Sequence, residues 1–272
     1  MEAKRRRDDH WHWARARCPL RAGRTSRLQT SGAPWAAVGA VDDLARGCGG
    51  VSWVDALAAL ALAVAGTLAV AAIPGLHSSH SLLTRDYLSH AWLLLVALGW
   101  YFGLRRRLPL GRLDPRALAP WFPVWAGLGG IVGVLALMSR SPVAGVTVGP
   151  LGIVTPLGFQ GLFVGPSEEL LFRGLVQTGL NNSLGRRAGV MAGAGTGIRP
   201  GTLVAALLFG ALHLGVGLVR AGIGAAIGTG VVAFALALVL GHSYDRTGNV
   251  WGAAPAHDLV DLLGTAVPML VS

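Results

Sequence analysis

Residues 150–180 read PLGIVTPLGFQGLFVGPSEELLFRGLVQTGL, a stretch apolar and long enough to cross a bilayer that nevertheless carries Glu168, Glu169 and Arg173 near its middle. A helix needs about 20 apolar residues to span the hydrocarbon core. Each charge placed there costs about 2.5–3.5 kcal/mol on insertion scales, so the three must face a protein interior or a water-filled cavity rather than lipid. Other apolar helices therefore have to surround this one. The stretch is long enough to form two pieces, with Pro166 suited to the first turn of the second.

Working outward, the chain supplies those helices. Of its 272 residues 53% are hydrophobic and only 13% charged, against about a quarter charged in an ordinary soluble domain. Besides Pro150–Leu180, apolar runs cover Val54–Ile73, Tyr87–Leu104, Trp121–Met138, Thr202–Val219, Ile223–Leu240 and Val250–Val271. The expected fold is all-α: a polytopic transmembrane helix bundle of about seven spans in the cell membrane. Gly129 with Gly133 and Gly224 with Gly228, at four-residue spacing, are candidates for close backbone approach between helices.

Basic residues set the direction. Ten of the 23 lysines and arginines, from Lys4 to Arg46, precede the first apolar run. Arg105, Arg106, Arg107, Arg112 and Arg116 follow the second run, and Arg186, Arg187 and Arg199 follow the fourth, whereas the opposite loops carry only Arg85, Arg140 and Arg220. The positive-inside bias then puts the N-terminus in the cytoplasm and the C-terminus outside. The +10 net charge is explained by these membrane-flanking segments, and nucleic acid is not an expected partner.

Three regions follow: a basic N-terminal segment 1–50, N-terminal transmembrane helices 51–145, and a polar-bearing core 146–272. Residues 1–50 contain no apolar run of signal-peptide type. They read either as a disordered arm on the membrane surface, with Trp11, Trp13 and Trp35 at the headgroups, or as translation from a misplaced start. Cys18 and Cys48 lack CxxC spacing and lie on the reducing side, so no structural disulfide is expected.

The chemistry sits in the core. Glu169 and Arg173 are four residues apart on one helix face, where the guanidinium can neutralise the carboxylate. Glu168 is turned about 100° away and is expected to stay free, as suits a general base that takes a proton from water. His213 stands in an apolar run, where a lone histidine is commonly a packing residue. His257 and Asp261 share a face at four-residue spacing. With a rise of about 1.5 Å per residue, Glu168, His213 and His257 lie roughly 18, 17 and 11 Å from their cytoplasmic helix ends, a common depth.

At these residues the chain resembles the CPBP family of intramembrane proteases, which includes the CAAX prenyl endopeptidases and bacteriocin-processing or self-immunity proteins. Glu168-Glu169-Leu170-Leu171-Phe172-Arg173 is similar to the family's EExxxR motif, Phe209 to His213 to its FxxxH, and His257 to Asp261 to its HxxxN or HxxxD. The resemblance covers about Pro150 to Leu263, including the Asp245-Arg246-Thr247-Gly248 turn. It implies an intramembrane endopeptidase acting on a membrane-associated peptide or protein. Glu168 and His213 would activate water, His257 and residue 261 would stabilise the oxyanion, and Glu169 and Arg173 would position the site.

Asp261 departs from the Asn of many relatives, because an ionised carboxylate cannot donate to an oxyanion; it could be protonated, orient His257, or bind metal. Glu168, His213, His257 and Asp261 are chemically suited to zinc, and zinc-assisted and metal-free mechanisms stand equally open. No HExxH, GxSxG or P-loop motif is present, and the glycine alternation from Gly193 to Gly197 reads as a loop rather than a phosphate cradle. Two rivals keep the fold: an inactive membrane scaffold or immunity protein, and a proton-coupled transporter, against which the lack of an internal repeat counts. The substrate's identity and the oligomeric state are not legible.

Overall fold

The computed structural model describes residues 51–74, 76, 82–103, 119, 122–138, 154–187 and 197–271. Expectations for residues 1–50 (with Cys18, Cys48 and the three tryptophans), for Arg105, Arg106, Arg107, Arg112, Arg116 and Arg140, and for most of the 193–197 glycine loop lie outside them. So do the side chains of Arg186, Arg187 and Arg220.

Among the described residues every regular element is helical. The elements are α1 Trp53–Ala71, α2 Leu82–Gly103, α3 Phe122–Met138, α4 Val154–Leu162, α5 Val164–Glu169, a π-helical stretch Leu170–Gln177, and α6 Thr178–Arg187. A long helical run, Pro200–Thr247, is divided by Gly222 into α7 Pro200–Val219 and α8 Gly222–Thr247. The chain ends in α9 Val250–Val271. Three helices, α1, α7 and α8, are long and apolar enough to cross a membrane, and Phe122–Leu135 is a shorter apolar helix.

The surface is inverted relative to a soluble protein. Leu95 (62% exposed), Phe102, Val219 and Ile223 point outward, while Glu169 and Arg173 are completely enclosed. Such a distribution suits a lipid solvent, in which backbone groups must be satisfied internally and charges belong in the bundle interior.

Local sequence explains the element ends. Ser52 starts α1 with a capping box, its Oγ accepting from Asp55 N at 3.1 Å while Asp55 Oδ2 accepts from Ser52 N at 3.0 Å, which satisfies two of the orphan donors. Alanines 56, 59 and 63 are buried on this helix and let it lie close to α2 and the π-helical stretch. Between α7 and α8, Gly222 adopts φ 81°, a left-handed conformation costly to other residues, and the two helices fold into a hairpin. Gly217 and Gly230 allow close contact: a Cβ on Gly217 would lie 2.6 Å from Ala226 Cα, and one on Gly230 2.9 Å from Leu214 Cβ.

Of the glycines singled out by spacing, Gly129 does face α9 closely, with a would-be Cβ 2.7 Å from Leu263 Cδ1. Gly224 and Gly228 have nothing within 4 Å of a would-be Cβ among the described residues, so there that pair makes no close approach. Four-residue spacing selects a helix face but not the face that meets a neighbour.

The apolar stretch 150–180 is interrupted more thoroughly than its length suggested, by a break at Phe163 and then by the π-helical turns. Gln177, the last π residue, is fully buried. Its Nε2 donates to Thr202 Oγ1 at 3.0 Å, Gly241 O at 2.9 Å and Asp245 Oδ1 at 3.0 Å. The broken helix is thereby tied to both arms of the hairpin. Asn181 joins the cluster through Asp245 Oδ1 at 3.0 Å. This buried polar network keeps α8 helical through Thr247, so the expected turn at Asp245 begins only at Gly248, which caps the helix with φ 60°.

Candidate active site

The break at Phe163 starts α5 anew, and its first turn is held by α9. Gly165 N donates to Asp258 Oδ1 at 2.7 Å in a buried contact, a carboxylate satisfying an exposed helix-start donor. A Cβ on Gly165 would collide with the Ala254 carbonyl oxygen and with Asp258 Oδ1. Gly165→Ala is therefore expected to lower the thermal unfolding midpoint, at an overpacking cost of about 1–3 kcal/mol, and to reduce any activity with it. An unchanged midpoint would show that α5 and α9 need not lie so close.

Glu168 and Glu169 end α5, and the widened helix that follows carries Arg173 on the same face as Glu169. Arg173 Nε donates to Glu169 Oε2 at 2.8 Å and Nη2 to Oε1 at 3.4 Å, the pairing expected of the i, i+4 spacing. Arg173 Cζ also lies 5.8 Å from the centre of the Phe209 ring, a cation–π distance. Thr178 Oγ1 donates to the Arg173 carbonyl at 2.8 Å, satisfying a backbone acceptor where the π register loosens the helical ladder.

His257 comes in from α9. Its Nδ1 donates to Glu169 Oε1 at 3.0 Å. Nε2 is then left 3.8 Å from Glu168 Oε2 and 3.5 Å from Asp261 Oδ2. Asp261 has a side chain 25% exposed, so it stands at the mouth of the cluster, whereas Glu169 and Arg173 form its floor.

On α7, His213 Nδ1 donates to Phe209 O at 3.0 Å. A carbonyl can only accept, so the neutral ring carries its proton on Nδ1 and offers a lone pair at Nε2. The Phe209 ring neighbours both histidines, 4.3 Å from His213 and 6.0 Å from His257, centre to centre. The six residues singled out by sequence thus lie on α5, the π-helical stretch, α7 and α9. Glu168, Glu169, Arg173, His257 and Asp261 are linked by these contacts, and His213 joins them through Phe209.

One expectation is corrected. Glu168 is not free of partners, because Oε1 lies 3.1 Å from His90 Nε2 on α2. Oε2 is buried and has no hydrogen-bond partner among the described residues. Sequence reasoning misses two further residues of the site: His90 is a histidine in an apolar span outside any recognised motif, and Asp258 is the neighbour of a more conspicuous histidine. The ionisable character of His90 at that depth was the available signal.

The donor set suits zinc in kind, and the Nδ1 bonds of His213 and His257 are of the sort that orient metal-bound imidazoles. In arrangement it does not: among the described residues no group of three or more His, Cys, Asp or Glu side chains is placed to hold a metal ion.

Comparison with known proteins gives a consistent result. A family model described as "Type II CAAX prenyl endopeptidase Rce1-like" matches residues 150–263. No curated protein and no solved structure matches the chain. The matched segment begins at the apolar stretch that holds Glu168 and runs past Asp261, so over these residues, with all three motifs, the chain is similar to the type II CAAX prenyl endopeptidases.

Proposed function

We propose that the protein is a CAAX protease-like intramembrane endopeptidase that hydrolyses a peptide bond of a membrane-associated peptide or protein with a water activated by side chains. The observation that carries this reading is Glu168 Oε2, a buried carboxylate oxygen with no hydrogen-bond partner among the described residues, beside His257 Nε2.

A water held between Glu168 Oε2 and the His213 Nε2 lone pair attacks the scissile carbonyl carbon and gives its proton to Glu168. The carbonyl oxygen becomes an oxyanion. His257, with Nδ1 already donating to Glu169, offers Nε2–H to that oxyanion when its ring carries both protons. The C–N bond then breaks, and the leaving amine takes the proton from Glu168. Glu169 and Arg173 hold the His257 ring at its angle. Asp261 is an acceptor only when ionised, and its place beside His257 Nε2 suits orienting that ring rather than donating to the oxyanion.

These steps balance without a metal. Zinc-assisted chemistry at Glu168, His213, His257 and Asp261 would need those side chains to gather more closely than they stand, and metal analysis of the purified protein checks whether they do.

The catalytic core sits in a multi-pass membrane protein of about seven spans with its N-terminus in the cytoplasm, a reading supported by the apolar helices and the arginine distribution. Cys18 and Cys48 are the chain's two cysteines and report on this directly. In sealed right-side-out vesicles an impermeant maleimide should label neither until the membrane is opened. Labelling of intact vesicles would reverse the orientation.

The activity is tested on the purified protein in vesicles, with lipid-anchored and single-span reporter peptides that include a prenylated CAAX peptide. Two fragments from at least one reporter are expected. One observation favours a second reading, a peptide-binding scaffold: Asp261 in the place of the usual Asn. Reporters bound but intact after long incubation would establish that reading and end the first.

A further inference from the structure

We propose that His90, on α2 and outside the matched segment, is a positioning residue of the hydrolytic site that grips Glu168 Oε1 and thereby turns Oε2 toward the attacking water. This rests on the hydrolytic reading above.

The ring of His90 is fixed on several sides. Nδ1 lies 2.9 Å from the Asp86 carbonyl oxygen one helical turn earlier, and since that oxygen only accepts, Nδ1 carries a proton. The ring meets Phe159 of α4 edge-on, at 4.9 Å and 90°. Phe159 is itself packed at 4.7 Å against Tyr87. Nε2 lies 3.1 Å from Glu168 Oε1. Helix α2 packs directly on α5, so the grip spans two helices that are 78 positions apart at the contact.

With Nδ1 committed to a carbonyl and Glu168 ionised to act as the base, the proton of the Nε2–Oε1 contact belongs to the imidazole, which carries one on each nitrogen. His90 therefore does more than fill space. It sets the rotamer of Glu168 and supplies a donor to the oxygen that does not face water. Without it both oxygens of Glu168 could rotate, and misplacement of a base by about 1 Å costs roughly 100-fold in rate. A glutamine can still donate an N–H to Oε1, whereas a phenylalanine keeps the ring shape and donates nothing.

The test uses the full chain in vesicles and the reporter peptide that the wild type cleaves fastest. His90→Phe should lower kcat by about 100-fold with KM within about threefold of wild type, as for a loss confined to the transition state. His90→Gln should recover part of the rate. Independently of activity, protein labelled with nitrogen-15 in its histidine rings should show a His90 signal, identified by its loss in His90→Gln, that shifts on Glu168→Gln. A kcat for His90→Phe within about twofold of wild type, or a His90 signal indifferent to Glu168→Gln, would overturn the assignment. A wild type that cleaves no reporter would count against hydrolysis alone, and the ring signal would still decide the role of His90.

Discussion

Glu168→Gln should reduce cleavage by about 100- to 10,000-fold, the range that a positioned general base contributes. The amide keeps the size of the side chain and leaves α5 undisturbed, but its terminal oxygen is far too weak a base to take a proton from water. Its amide oxygen can still accept from His90 Nε2–H, so the contact between the two side chains is kept without loss of packing. The fall should appear in kcat, with substrate binding and unfolding temperature near those of the wild type. Turnover at an unreduced rate by folded Glu168→Gln would remove the assigned base.

The second large effect concerns the floor of the cluster. Arg173 and Glu169 are both fully enclosed, and removing one member of a buried ion pair strands the other, at a cost of about 3–5 kcal/mol. Arg173→Met should therefore destabilise the protein strongly, read as a lower midpoint of thermal unfolding in detergent. His257 adds to the effect, since its Nδ1 leans on the same carboxylate at 3.0 Å and would lose its orientation. Glu169→Gln with Arg173→Met removes both charges and should recover much of the stability while leaving cleavage impaired. A single Arg173→Met variant as stable as the wild type would mean that Glu169 is not held in a dry interior.

The contrast between those residues and His90 shows what the sequence could reveal. Apolar runs near 20 residues are imposed by lipid thickness, so the helices lie close to where the hydropathy put them. Glu169 and Arg173 declared their pairing through a local spacing, and His257 and Asp261 likewise. The helix ends were less legible: α2 begins at Leu82, and α8 continues to Thr247, with Asp245 finding partners outside its own helix. The π-helical register has no signature in the composition of Leu170–Gln177.

Tertiary partners were the hardest to see. Nothing near Glu168 in sequence announces His90, and nothing near Gly165 announces Asp258, 93 positions away. Each contact exists only because α2 and α9 flank the broken helix, and a pattern of residues along one chain does not encode which helices become neighbours.

The central claim is that a water activated inside the bundle, rather than a protein nucleophile, cuts the peptide. A single turnover in water labelled with heavy oxygen, followed by mass analysis of protein and products, tests it most directly. The account predicts one heavy oxygen in the new carboxyl terminus and a protein mass that never rises. A protein carrying the acyl fragment during the reaction, or a peptide left whole, would contradict it.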